Sequence, residues 1–303
     1  MTAIETRGLT KEYNGVTAVD SLSLTVEEGE IFGFLGPNGS GKSTTINMLL
    51  DFVRPTRGTV SIFGLDPQSE SRSVRKHVGI VPEGYDLYDR LTARKHLEFT
   101  VEMKDAACDP ADILERVGLS GDADRAVGGF SKGMRQRLAL GMALVGRPDL
   151  LILDEPSSGL DPNGAQEMRE IVMEEVDRGA TVFFSSHVLE QVEAICDRVG
   201  IMRNGSLVTV DTIAGLREAT GGGSTVVLSV DENPTDHGLE EIDGVSAVTV
   251  GDGEVRVTCT DPGVKSSVIA TVEAAGVSVT DISVEEASLA DLFAEYTTQV
   301  VDA

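Results

Sequence analysis

The sequence predicts an α/β fold: a mainly parallel sheet with an antiparallel β subdomain and a helical insertion, followed by a small α+β domain. Three observations carry this. Short, wholly apolar runs such as Leu150-Leu151-Ile152-Leu153 alternate with amphipathic helical stretches, the pattern of parallel strands buried on both faces. Strand-like and helical periods then change places near residue 216, after which the order becomes strand, helix, strand, strand, helix, strand. Between them, Gly221-Gly222-Gly223-Ser224 is a flexible break.

In chain order, Ala3-Ile4-Glu5-Thr6-Arg7 and Ala18 to Val26 alternate as strands around a turn at Lys11-Glu12-Tyr13-Asn14-Gly15. Glu30 to Leu35 is a buried strand, and Ser43 to Leu50 a helix. They flank Gly36-Pro37-Asn38-Gly39-Ser40-Gly41-Lys42-Ser43-Thr44. This stretch fits G-x-x-x-x-G-K-[ST], a loop that cradles phosphates. Its glycines bring backbone N–H groups close to an anion, Lys42 supplies charge for the β- and γ-phosphates, and Ser43 a hydroxyl for Mg2+. Gly58 to Gly64 is a strand, and Val78 to Glu83 an apolar strand ending on a carboxylate. From Thr92 to about Val145 the pattern is helical, with Leu91–Phe99 and Pro110–Gly118 amphipathic and the latter stopping at Gly118.

Leu150 to Glu155 ends in two acids at the carboxyl edge of the sheet, where such folds bind ligands. Asp154 is expected to hold Mg2+ and Glu155 to polarise the attacking water. Ala180 to His187 is a strand ending on His187, which could bond the γ-phosphate. Ala165–Arg178 and Glu190–Arg198 are helical, and Val199–Met202 with Ser206–Val210 forms a hairpin at Asn204-Gly205. Phe130-Ser131-Lys132-Gly133-Met134 opens a helix. Taken alone it is an N-cap on Ser131; a second phosphate device of this kind makes sense for a nucleotide held by another copy of the chain.

Charge and cysteines narrow the function. The chain of 303 residues carries 25 basic and 50 acidic residues, a net −25, which argues against a nucleic-acid groove and resembles adaptation to a salt-rich cytosol. From Leu216 onward there are 3 basic and 17 acidic residues, a balance of −14. Cys108, Cys196 and Cys259 show neither a disulfide framework nor zinc spacing. With no run of about 18 apolar residues, no direct membrane insertion is expected. His237 stands apart from any catalytic grouping.

Together these motifs resemble the ATP-binding subunits of ATP-binding-cassette (ABC) transporters over residues 1–215, with a P-loop NTPase fold, the helical subdomain at about 92–145 and an accessory domain at 216–303. Gly36–Thr44 is similar to Walker A, Leu150–Glu155 to Walker B with its catalytic glutamate, Ser158-Gly159-Leu160-Asp161 to the D-loop, and His187 to the switch histidine. Phe130–Met134 resembles the signature Leu-Ser-Gly-Gly-Gln but has Phe130, Lys132 and Met134 in place of Leu, Gly and Gln. Tyr13 stands where an aromatic stacks on adenine; an exposed turn tyrosine is the alternative. Glu83 stands in place of the Q-loop glutamine: it can take Mg2+ or position water but cannot donate an amide hydrogen bond. Both variants resemble the branch paired with ABC-2-type membrane proteins, which includes drug-resistance exporters, and Ser288–Phe293 resembles the end of that branch's C-terminal domain.

The resemblance implies ATP and Mg2+ as ligands, with Glu155, His187 and Glu83 catalytic. Gly36–Thr44, Tyr13, Ser131, Gly133 and Asp161 would contact nucleotide, and Ser43, Asp154 and Glu83 the metal. It implies a head-to-tail homodimer that sandwiches two ATP molecules at the cytoplasmic face of the membrane. The dimer would power a separate ABC-2-type permease through the surface near Glu83–Leu97. A soluble ABC ATPase acting on ribosomes or DNA is the other reading of the same cassette.

Overall fold

The computed structural model describes residues 1–158, 160–186, 188–219, 224–232, 238–251, 253–259, 262–286, 289 and 293. It divides into two units, Met1–Val210 and Asp211–Ala303. Residue 216, where the sequence changes character, lies inside the helix Ile213–Ala219.

The first unit opens with a long antiparallel hairpin, β1 (Thr2–Tyr13) and β2 (Val16–Glu27). β2 buries alternate residues at Leu22, Leu24 and Val26, whereas β1 buries Ala3-Ile4 and Leu9-Thr10 as adjacent pairs, and bulges let the pair curve. Lys11, Glu12 and Tyr13, expected in a turn, are the last residues of β1; the turn itself is Asn14-Gly15, both at positive φ. β3 (Ile31–Leu35) has no exposed residue. It leads through the glycine loop into α1 (Lys42–Leu49). β4 (Arg57–Ile62) pairs with β1, giving a three-stranded antiparallel sheet in the order β2-β1-β4.

Next come α2 (Ser71–His77) and β5 (Val78–Val81). The sequence pattern gives no sign of α2, which buries one residue, Val74, and has no side-chain cap. β5 stops two residues short of Glu83, because Pro82 has no N–H to continue a ladder. The helical insertion holds α3 (Ala93–Lys104), α4 (Pro110–Arg116) and α5 (Lys132–Leu144). Thr92, Asp109 and Ser131 cap them, each accepting a backbone N–H of the first turn.

β6 (Leu150–Asp154), α6 (Pro162–Asp177), β7 (Thr181–Ser185), α7 (Leu189–Glu193), β8 (Arg198–Arg203) and β9 (Ser206–Thr212) complete the main sheet. Its order is β5-β6-β7-β3-β8-β9, and the first five strands are parallel. The helix expected over Glu190–Arg198 stops at Glu193, and Arg198 already belongs to β8. Asn204 and Gly205, at φ 48 and 85, make the hairpin turn between β8 and β9.

Every residue of β3, β6 and β7 is buried. Phe183 of β7 stacks on Phe32 and meets Phe34 at a 5.1 Å ring distance. These rings join Ile46, Met48 and Leu49 of α1 and Leu22, Leu24 and Val26 of β2 in one core. Burying each such side chain contributes about 1.5–3 kcal/mol. The insertion is tied to α6 at Glu175, which is 1% exposed and bonded to Arg116 of α4 (2.7 Å) and Arg178 (2.5 Å).

The second unit begins with α8 (Ile213–Ala219). Four strands follow, β10 (Ser224–Val230), β11 (Val245–Gly251), β12 (Glu254–Cys259) and β13 (Val279–Glu286), with α9 (Lys265–Ala274) between the last two. All pairs are antiparallel, in the order β11-β12-β10-β13. With β10 as the first strand, this is the 4-1-3-2 sheet of a ferredoxin-like split βαβ domain. The short helix expected at 238–242 is a single 3-10 turn, Leu239–Glu241. The helix expected at Ser288–Tyr296 lies, apart from Leu289 and Phe293, outside the described residues, as do His187, Gly159 and His237.

Gly79 shows how closely the insertion packs on the sheet. A Cβ there would lie 2.2 Å from the carbonyl oxygen of Ala143 in α5. Gly79→Ala is therefore expected to cost about 1–3 kcal/mol, read as a lower denaturation midpoint with an unchanged denaturant slope.

Candidate nucleotide site

The loop between β3 and α1 takes its shape from glycines at positions no side chain could occupy. Gly41 precedes α1 at φ 109, and a Cβ on it would lie 2.6 Å from the carbonyl of Ala18. A Cβ on Gly36 would lie 2.4 Å from Ser40 Oγ. The chain thus presents bare backbone N–H groups and the start of a helix at one spot, a ready anion site. Lys42, 7% exposed, folds back over the loop, and its Nζ donates to the carbonyls of Gly36 (2.6 Å) and Pro37 (3.4 Å). The hydroxyl of Ser40 is buried and has no hydrogen-bond partner among the described residues.

Opposite the loop stand three carboxylates. β6 and β7 are parallel neighbours, and Asp154 pairs in register with Ser185. The Ser185 hydroxyl donates to Asp154 Oδ1 at 2.6 Å. Burial pushes the Asp154 carboxyl above the usual range; the Ser185 bond opposes this, the charges of Glu83 and Glu155 add to it, and Lys42 draws it back. Glu155 holds φ 49, rare for a side chain of this size, and its N–H bonds the Ser185 carbonyl at 3.0 Å. Glu83 comes from the end of β5, with its Oε2 3.5 Å from the Ser43 hydroxyl.

These groups share one cavity of about 330 Å³, walled by Asn38, Gly39, Gly41, Lys42, Ser43 and Thr44 with Glu83, Asp154, Glu155, Ala18 and Ser158. Gly36 and Ser40 shape the loop behind it. Other residues singled out in the sequence stand elsewhere. Tyr13 is 43% exposed at the end of β1 beneath the Lys11 ammonium, outside the cavity walls. Asp161 caps α6, accepting the N–H of Gly164 at 2.7 Å. Ser131 caps α5 and accepts the N–H of Met134, with Gly133 in the first turn; neither lines the cavity.

Sequence reasoning passed over Ser185, whose bond to Asp154 depends on which strands are neighbours. It also passed over Ser157, whose hydroxyl donates to Gln191 of α7 and ties the turn after Glu155 to the segment after β7. An apolar strand ending in Ser-Ser beside another ending in Asp-Glu was the available signal.

The arrangement offers backbone donors and a lysine to phosphates, and carboxylates to a cation or water. The chain as a whole also resembles known proteins. Residues 19–158 match the ABC transporter family, and residues 212–297 match the C-terminal domain of DrrA1-3-like ATP-binding proteins. The chain is 42% identical over 212 residues to the bacitracin transport ATP-binding protein BcrA of Bacillus licheniformis, covering 68% of this chain and 69% of that one. It is 33% identical over 304 residues to the linearmycin resistance ATP-binding protein LnrL of Bacillus subtilis (strain 168), covering 97% of this chain and 98% of that one. A solved ATP-binding subunit of an ABC transporter superposes with a TM-score of 0.68 at 30% identity, covering 73% of this chain and 94% of that one. With the phosphate loop, the paired acids and the helical insertion in one order and one geometry, the chain belongs to the ABC transporter family as an ATP-binding subunit and is an ATPase.

Proposed function

We propose that the chain hydrolyses ATP as a head-to-tail homodimer and powers export of antibiotic-like compounds through a separate ABC-2-type permease, at the cytoplasmic face of the membrane. The carrying observation is the composition of the cavity: Lys42, Ser43, Glu83, Asp154 and Glu155 line it, whereas Ser131 and Gly133 of the same chain do not. A second copy, turned head to tail, supplies the missing N-terminus of α5. The export reading draws its support from relatives named for bacitracin transport and linearmycin resistance, the second matched along nearly the whole chain. No described helix is long and apolar enough to cross a membrane; in this reading the permease is a separate chain.

Ser43, Asp154 and Glu83 suit Mg2+. Among the described residues no three His, Cys, Asp or Glu side chains converge into a self-sufficient metal cage. One or two carboxylates with substrate phosphates and water are the usual set for this ion. When bound, Mg2+ neutralises charge on the β- and γ-phosphate oxygens.

The other steps belong to the protein. Lys42 turns from the carbonyls of Gly36 and Pro37 to the phosphates. Asp154 is held by Ser185. Glu155, fixed by its N–H bond to the Ser185 carbonyl, orients the attacking water and accepts its proton. His187, two positions after β7 in the sequence, is assigned to the γ-phosphate, and Tyr13 to the adenine.

Glu155→Gln is expected to lower ATP turnover by about a hundredfold or more while an ATP-bound dimer accumulates, seen by size-exclusion chromatography with light scattering. Asp154→Asn is expected to raise folding stability. It removes a buried charge crowded by Glu83 and Glu155 while keeping an acceptor for Ser185. The nucleotide-free chain should gain on the order of 1 kcal/mol, read by denaturation at neutral pH, and lose ATPase activity.

A further inference from the structure

Beside the nucleotide cavity lies a second hollow. Glu83 and Tyr85 of the segment after β5 form one side, and Lys132, Arg135 and Gln136 of α5 the other. Bonds cross between the two. The Tyr85 hydroxyl donates to Gln136 Oε1 at 2.8 Å. Arg135 Nη2 donates to Asp89 Oδ1 at 2.6 Å. The Asp89 carbonyl accepts the N–H of Gly128 at 2.9 Å.

Gln136 is 7% exposed, and burying its amide is costly unless it is bonded. Burial pushes the Tyr85 phenol up to about 12, against the pull of Arg135, so the hydroxyl stays a donor at neutral pH. Between Glu83 and Tyr85 stands Gly84, at φ 67. The two side chains flanking it reach different elements: Glu83 comes to Ser43 of α1, and Tyr85 to α5. Gln136 lies little more than one helical turn from Ser131 and Gly133. The helix carries any displacement at Gln136 to its own N-terminus.

We propose that Tyr85 and Gln136 are positioning residues that couple Glu83, at one nucleotide, to the α5 N-terminus that closes on the nucleotide of the other copy. This rests on the head-to-tail dimer proposed above. The Arg135–Asp89 pair backs the clasp, but Asp89 is exposed, and exposed ion pairs contribute little; the half-buried Tyr85–Gln136 bond carries the coupling. A bond that only fills a packing need would alter stability without separating two binding steps. A coupling bond leaves ATP binding to one chain alone and weakens closure of the pair, because small errors in placement are costly at a composite site.

The test uses the full-length chain with Glu155→Gln as parent and adds Tyr85→Phe, or Tyr85→Phe with Gln136→Leu. The double change removes both hydrogen-bonding partners, which limits the folding penalty of leaving one unpaired. Binding of a fluorescent ATP analogue is titrated at concentrations where the chain is monomeric, and ATP-driven dimerisation is followed by analytical ultracentrifugation. Both variants are expected to keep the monomer's nucleotide affinity within about twofold and to weaken dimerisation by about five- to tenfold, the scale of one hydrogen bond. A double variant with a parent-like melting midpoint and weakened dimerisation separates coupling from folding. Dimerisation equal to the parent's would overturn the clasp and leave the dimer reading standing, as would a parallel loss of monomer affinity. A parent that stays monomeric in ATP would overturn the dimer reading and the clasp with it.

Discussion

The site depends on one constraint, the side-by-side order of three buried parallel strands. β6, β7 and β3 are consecutive in the sheet, and none exposes a residue. Because they run the same way, their carboxyl ends open on one edge. That edge receives the phosphate loop from β3, Asp154 and Glu155 from β6, and Ser185 from β7. The aliphatic and phenylalanine core beneath them makes the edge rigid. The charges above it can then be held where they repel one another.

The strained groups follow from the same order. Asp154 is buried beside two other carboxylates, and Glu155 sits in the left-handed backbone region. Both are locally unfavourable, and strain of this kind clusters at functional sites. Register with β7 sustains them: the Ser185 hydroxyl holds the Asp154 side chain, and the Ser185 carbonyl holds the Glu155 N–H. One residue of β7 thus fixes the groups assigned to the cation and to the attacking water.

Much of this was legible in the sequence because the signals are local. The phosphate loop is contiguous, the apolar runs of β3, β6 and β7 are short and unbroken, and the strand-helix alternation points to a parallel sheet. Asn204-Gly205 named its own hairpin. What stayed hidden was non-local or weakly patterned. The Asp154–Ser185 bond requires knowing that β6 and β7 pair in register. The Tyr85–Gln136 bond joins residues 51 positions apart. α2 has one buried residue and no cap, so neither period nor termini announced it. Lys11 to Gly15 reads as one turn, but the long curved hairpin carries Tyr13 into β1.

In the proposed arrangement each ATP site is divided between two copies of the chain. Mixing two inactive full-length variants tests it most directly: Lys42→Ala, which spoils the phosphate loop, and Ser131→Arg, which spoils the N-terminus of α5. A mixed dimer contains one composite site with both halves intact, whereas dimers of either variant alone contain none. Mixing is expected to restore ATPase activity well above the sum of the separate preparations. Activity equal to that sum, under conditions where the two variants are shown to associate, would contradict it.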